Sequence, residues 1–309
     1  MGVGGHINDS GQEMADTIPA GATKTVTCQI ASGLLSTQTK YIWLSASPLV
    51  LEFELADAAS CIMNFPTGTA AQQYSQNYSI QNVVLLADHV QMDPGLLNSY
   101  TKHIENGGSL TYHYQTYSSI VHTIPAGQDF SVNQTRAFTK LDTVFVNFAR
   151  QATDGNVAPG SVPNRITDTW WFEGLNSDTL PGSTIDAKTG NNDRLEYFFQ
   201  LGPKRFPHFS PQRTCEHFFQ FLKALGKHNS DVHSPGITQK QWRYNSMTLA
   251  YDFEKASGSG AEWSGESTRG GDILAFFCKH APPLAQRCYV FCHRTVIARV
   301  SKSGVDFSD

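Results

Sequence analysis

The residues best suited to chemistry are the cysteines and histidines near the end of the chain. Cys278, His280, Cys288, Cys292 and His293 offer thiol and imidazole groups within one short stretch, and such groups are the usual ligands of zinc. Their spacing argues against zinc, because structural sites favour two-residue gaps that turn around the metal. In a strand, Cys288 and Cys292 would share one face while His293 would point to the other. We therefore predict buried thiols on a core face and no metal site.

Other patterns typical of enzymes are incomplete. None of the 11 histidines forms the His-x-His pair that a cupin-type metal enzyme would carry. Residues 265–271 are glycine-rich, but they lack both the strand–turn–helix context of a nucleophilic serine and the ending of a phosphate loop. Asp252 and Glu254 lie on the same side of a predicted strand, which fits a solvated face better than an acid–base pair. The sequence therefore predicts no enzyme, no catalytic residue and no cofactor.

Composition narrows the class of protein further. Only 16% of the 309 residues are charged, and a surface with few charges favours extensive contact with partners. The net charge of -4 gives no sign that the chain as a whole binds nucleic acid. The chain lacks an apolar run long enough to span a membrane, and residues 1–16 do not read as a secretory signal. The six cysteines are dispersed, mostly in apolar runs, and favour reduced thiols in an intracellular setting over a disulfide framework.

Alternation of apolar and polar residues predicts strands along most of the chain. Leu49 to Leu55 alternates strictly, and the predicted strands or strand-rich segments are 23–30, 41–44, 49–55, 78–90, 109–122, 130–132, 141–148, 246–253, 272–278, 288–294 and 296–300. A turn of helix is predicted at 96–103. One convincing helix is expected between Ser210-Pro211 and Gly226. Because strands do not alternate with long helices, an all-β jelly-roll sandwich is predicted.

Basic residues cluster in the last part of the chain. Between Asp272 and Asp306 there is no acidic residue, and the cations are Lys279, Arg287, Arg294, Arg299 and Lys302. On strands, these five residues would form a basic face toward an acidic partner or packaged nucleic acid. The alternative is a set of solvated strand edges protected by lysine and arginine.

Several motifs, in order, resemble those of double jelly-roll major capsid proteins. Residues 263–274 read WSGESTRGGDIL, followed by a Pro-containing loop at 281–283, a strand pair, and a Gly-Val-Asp close at 304–306. Upstream, 201–207 (LGPKRFP), the helix, 252–255 (DFEK) and 136–141 (RAFTKL) are similar to the same proteins. The resemblance is greatest to the capsid proteins of polinton-like viruses, adintoviruses and virophages, with giant viruses more distant.

This resemblance implies a structural protein of a DNA virus. It implies self-assembly into pseudo-hexagonal homotrimers of an icosahedral shell, contact with other capsid proteins such as a penton, weak contact with packaged DNA, and residence in the virion after assembly in the host cell. Residues 1–16 would be a flexible lead, 17–65 the last strands of a first jelly roll, and 66–309 a complete second one with one short helix in a loop. The chain would then be a fragment, an endogenised viral copy or a shortened relative.

Four large aromatic residues on predicted loops are candidates for interface anchors: Trp170, Trp171, Phe172 and Trp242. The alternative is that they cap the ends of the sandwich. Two other functions remain open on the same fold, a lectin-like binding module and a metal-dependent cupin-type enzyme.

Overall fold

The protein is described by a computed structural model over residues 21–23, 25–27, 30, 32–36, 41–55, 78–125, 127–149, 195–227, 236–239, 242, 246–254, 265–282 and 285–308. The helices are α1 (Gly33–Ser36), α2 (Pro94–Glu105) and α3 (Thr214–Ala224). The strands are β1 (Leu110–Thr123), β2 (Phe130–Gln134), β3 (Leu141–Ala149), β4 (Glu196–Leu201), β5 (Lys204–Phe206), β6 (Thr248–Asp252), β7 (Leu274–Lys279), β8 (Arg287–Ser301) and β9 (Gly304–Ser308).

Strands β1 to β8 form a jelly roll. They pair antiparallel from the outside inwards, β1 with β8, β2 with β7, β3 with β6 and β4 with β5, as in a long hairpin that has been rolled up. The rolling gives two sheets, one in the order β1-β8-β3-β6 and the other in the order β2-β7-β4-β5, with β9 added to β8. Nested pairing of this kind is the connectivity of a jelly roll, so the predicted fold class is confirmed.

The core lies between the two sheets and follows from residue alternation. Along β8 the buried and half-buried residues alternate without a break, so Cys288, Val290 and Cys292 face the core. Strand β4 supplies Tyr197 and Phe199, which pack against each other, and Phe199 also packs on Phe276 of the neighbouring strand β7. Period-two alternation in strands is sufficient to explain which side chains are inside.

Helix α3 packs against β6. It begins at Thr214, a few residues after the predicted start at Ser210-Pro211, and is followed by Gly226, whose φ of 65° suits a residue without a Cβ. His217 is buried on this helix. Helix α2 begins at Pro94 with the Asp93 side chain accepting from the Gly95 N–H, and it is longer than the turn predicted there.

The segments before β1 differ from prediction. Residues 78–90 and 49–55 have strand-like sequences, but the structure assigns neither segment to a strand. The described parts of 23–30 and 41–44 contain no strand either, and the predicted boundary between residues 65 and 66 lies outside the described residues. A strand needs a hydrogen-bonded neighbour, and these segments have none among the strand pairs described above. No described helix is long and apolar enough to cross a membrane.

Candidate assembly surface

An aromatic face covers the outer side of the five-stranded sheet. We define it as Tyr117, Phe145, Tyr289, Phe291 and His293, which come from β1, β3 and β8. Strand register brings them together, because Tyr117 lies opposite His293 and Phe291 lies opposite Phe145. Residues directly opposite each other in a sheet point to the same side, and here that side faces away from the core.

The rings of the aromatic face touch one another. The Tyr117 and His293 ring centroids are 4.7 Å apart, Tyr117 lies 6.5 Å from Phe145, and Tyr289 stacks on Phe291 at 6.3 Å. Tyr117 is 60% exposed, and the neighbouring Val121 is 53% exposed. The other four residues of the aromatic face are half-buried, so Tyr117 and Val121 are the exposed part of this surface, and exposed apolar side chains that adjoin other rings suit a protein–protein contact.

Strand β1 is also the end strand of its sheet. Its 14 residues pair with β8 on one side and with no described strand on the other. The early part of this edge meets the N-terminal segment, because the Tyr112 hydroxyl donates to Tyr41 O and accepts from the Trp43 N–H, both at 3.4 Å. Helix α1 also packs on β1, where Gly33 lies against the Gln115 backbone, so the N-terminal segment covers part of this edge.

More apolar surface is exposed before β1. Val50 is 85% exposed and Leu86 is 84% exposed, and other large apolar side chains of the same two segments are exposed as well: Leu49, Phe53, Leu55, Ile80, Val83, Val84, Leu85 and Val90. We call residues 49–55 and 78–90 the apolar segments. Their side chains would gain hydrophobic free energy from any surface that covers them.

The outer side of the four-stranded sheet carries paired charges beside its aromatic rings. Phe198 stacks on Phe277 at 4.7 Å, and the Arg205 guanidinium lies 3.9 Å from the Phe198 ring centroid. Glu196 accepts from both Arg205 and Lys279, at 3.5 and 3.3 Å. The charges here are paired with one another.

The predicted basic face does not form. Lys279 lies on the four-stranded sheet, while Arg287 and Arg299 lie on the outer side of β8 in the other sheet. Arg294 is buried on the opposite side of β8, near the Phe138 ring, and Lys302 lies in the turn before β9. The prediction is wrong because alternate residues of one strand face opposite ways.

The predicted interface anchors have different positions. Trp242 is fully buried and packs between Phe218 and Phe221 of α3, with centroid distances of 5.4 and 6.0 Å. It is therefore a core residue, and its prediction as a surface anchor is wrong. Trp170, Trp171 and Phe172 lie outside the described residues, so their role stays a prediction.

The cysteine-rich stretch forms part of the core. Cys278, Cys288 and Cys292 are buried and free, and burial raises the pKa of Cys292 to about 11 and that of Cys288 further. His293 lies on the other face of β8, as its spacing predicted, and burial lowers its pKa. Among the described residues, no group of histidine, cysteine or acidic side chains is arranged to hold a metal ion.

Two motifs that are far apart in sequence meet in space. The Phe138 N–H donates to Thr268 Oγ1 at 2.7 Å, and the Thr268 N–H donates to Phe138 O at 2.9 Å. Next to them, the Leu141 N–H donates to Glu266 O and the Glu266 N–H donates to Leu141 O. The 136–141 and 263–274 motifs are thus hydrogen-bonded to each other, which joins the start of β3 to the loop before β7.

The aromatic face was not predicted from the sequence, although a signal was present. Alternation had placed Cys288, Val290 and Cys292 on one side of a strand, and the residues between them, Tyr289 and Phe291, are aromatic. An aromatic outer side is unusual for a solvated sheet, and this contrast was the available indication.

Comparison with known proteins gives structural matches only. No family model and no curated protein sequence matches. Among solved structures, the chain is similar to the PBCV-1 virus capsid (TM-score 0.39, 7% identity, 69% of this chain and 54% of that one) and to the Faustovirus major capsid protein (0.38, 10%, 68% and 36%). The Sputnik virophage structure also matches (0.35, 10%, 65% and 39%), so the chain spans about half or less of these chains.

Proposed function

We propose that this chain is a structural protein of a viral capsid and that it associates with further copies of itself as a trimer. The observation that carries the proposal is the position of the resembling motifs on the jelly roll. The 136–141 and 263–274 blocks hydrogen-bond to each other between strands of a complete jelly roll. Jelly rolls serve capsid proteins, lectins and cupins alike, and these motifs favour the capsid among them.

Self-association is supported by the surface. Tyr117 and Val121 of β1 and the apolar segments leave large apolar side chains exposed on one chain. Aromatic residues are enriched in the buried centres of protein interfaces. A second copy that covers this side would bury Tyr117 and Val121, the most exposed large apolar residues of β1.

The apolar segments support a second part of the proposal. We infer that residues 49–55 pair with strands of a first jelly roll, whether in the same protein or in a neighbouring copy. Their strict alternation and exposure suit a strand with one covered side, and a covered side requires a neighbour. Limited proteolysis tests this inference, because these residues should be cut early in the monomer and late in the assembly.

The test of assembly is size-exclusion chromatography with light scattering on the full chain, followed by electron microscopy. We expect a mass near three times the 34.0 kDa of one chain. The double change Tyr117→Ser with Val121→Thr should weaken the trimer at least tenfold, since each buried aromatic or aliphatic anchor contributes about 1 kcal/mol or more. Phe219→Thr on α3 is the control, because Phe219 is 52% exposed and its helix packs on β6, a strand that contributes no residue to the aromatic face.

One outcome would contradict the assembly role, and another would contradict the position proposed for the contact. A monomer that persists at high concentration would remove the assembly role, and glycan binding by that monomer would favour a lectin-like module instead. A trimer that loses affinity equally in the control variant would leave the capsid role standing and would place the contact elsewhere.

A further inference from the structure

A small cavity lies between the two sheets, beside β1 and β2. It has a volume of about 10 Å³, and its wall includes Val132, Phe199 and Phe276. Two polar side chains also line it, His122 of β1 and Gln134 of β2. A volume of this size holds one water molecule and nothing larger.

Two polar atoms at the cavity lack a partner in the described part of the chain. His122 Nε2 and Gln134 Oε1 are both buried, and neither makes a hydrogen bond to a described residue. The other end of the Gln134 amide is held, because its Nε2 donates to Cys292 Sγ at 3.2 Å. That contact turns Oε1 away from the sulfur. Leaving such atoms without partners is unfavourable, because each has given up its hydrogen bonds to water on burial.

We propose that this cavity binds one ordered water molecule, which joins His122 Nε2 to Gln134 Oε1. Water suits both atoms, since it donates to the amide oxygen and either accepts from or donates to the imidazole nitrogen, according to the tautomer. Buried waters typically bridge polar groups that would otherwise be unsatisfied. Because the other lining residues are apolar, these two polar groups determine the orientation of the water molecule.

The bridge would connect the two sheets. His122 belongs to the five-stranded sheet and Gln134 to the four-stranded sheet, and strands β1 and β2 are consecutive in the chain. Most of the buried core between the sheets is apolar, and apolar contacts are less directional than a hydrogen bond. A directional polar link therefore fixes how the two layers sit on each other at this edge.

The first test is a crystal structure of the full chain at a resolution that shows ordered waters. We expect density for one water within hydrogen-bond distance of both His122 Nε2 and Gln134 Oε1. An empty cavity overturns the proposal, and so does a direct hydrogen bond between the two side chains.

The second test is a double-mutant cycle measured by urea unfolding, with His122→Leu and Gln134→Met. Each single change should raise the unfolding constant about tenfold, because it leaves the water or the remaining group poorly bonded. The double change should cost about as much as one single change rather than the hundredfold of independent sites. Additive costs overturn the bridge.

The control pairs Gln134→Met with Asn147→Leu. The Asn147 amide lies on the outer side of β3 and bonds directly to Met247 O and Thr248 Oγ1, at 3.2 and 2.7 Å. The loss of stability caused by Asn147→Leu should therefore add to the loss caused by Gln134→Met. If the variants fail to fold, the crystal structure of the unchanged protein still decides the question.

Discussion

Acidification should weaken the fold through His217. The imidazole is fully buried against the Tyr197 ring, with centroids 5.5 Å apart, and its Nε2 lies 3.1 Å from Pro211 O. Burial lowers its pKa from 6.5 to about 4, against smaller opposing effects of the Pro211 bond and the Glu216 charge. The folded protein therefore holds this group neutral at pH values where the unfolded chain protonates it.

The sign and size of the effect follow from these two pKa values. Above pH 6.5 the group is neutral in both states and costs nothing. As the pH falls below 6.5, the unfolded chain binds a proton that the folded protein does not, so stability falls until about pH 4. The loss is about 2 kcal/mol at pH 5 and approaches about 3 kcal/mol near pH 4, at 1.36 kcal/mol for each pKa unit.

The assay is urea unfolding of the unchanged protein and of His217→Gln at pH 7 and pH 5. Glutamine retains a donor for Pro211 O but does not titrate, so the difference in stability between the two proteins should shrink by about 2 kcal/mol at pH 5. Other groups titrate in both proteins and cancel. His208→Gln, an exposed change, should keep the pH dependence of the unchanged protein. Equal pH dependence in the unchanged protein and His217→Gln would refute the reasoning.

Three further changes test the core, the contact between the motifs and the thiols. Phe199→Ala removes a fully buried ring that packs on other rings of the core, and it should lower the free energy of unfolding by about 3–5 kcal/mol in urea titrations. Thr268→Val keeps the shape but leaves the Phe138 N–H unsatisfied, so a loss of about 1–3 kcal/mol is expected, and a neutral result would show that the bond is not needed. Among the four described cysteines, Cys215 should react with a thiol reagent in the folded protein, whereas buried Cys288 should be modified only after unfolding, as mass spectrometry of the labelled peptides would show.

The jelly roll was predictable in large part because its strands alternate clearly. Strand β1 was predicted from the alternation of Leu110, Tyr112 and Tyr114, and β3 from that of Val144, Val146 and Phe148. Both predictions lie within a residue or two of the observed ends. Strand β8 was predicted in two pieces, since the polar pair Arg294-Thr295 interrupts its apolar pattern, yet it is continuous. Hydrogen bonds to β1 and β3 carry the backbone through that point.

Strand β4 was not predicted, although Tyr197, Phe199 and Leu201 alternate within it. The segment follows a long loop-like stretch, and six residues give a weak signal on their own. The opposite error occurred at residues 78–90, where a strong apolar signal has no strand to match it. The alternation of residues shows that a segment is able to form a strand. Whether it does so depends on a neighbouring strand, which the local sequence does not identify.

The candidate surface was less predictable than the fold for a geometric reason. Arg287, Arg294 and Arg299 are close in sequence, but Arg294 faces the core while the other two face outwards. The aromatic face is the reverse case, because Tyr117, Phe145 and Phe291 are distant in sequence and meet only through the register of β1, β3 and β8. A surface built across strands becomes visible once strand order and register are known, and here they place the exposed Tyr117 ring beside the half-buried rings of Phe145 and Phe291. That combination is why we place the contact between copies on this side of the jelly roll.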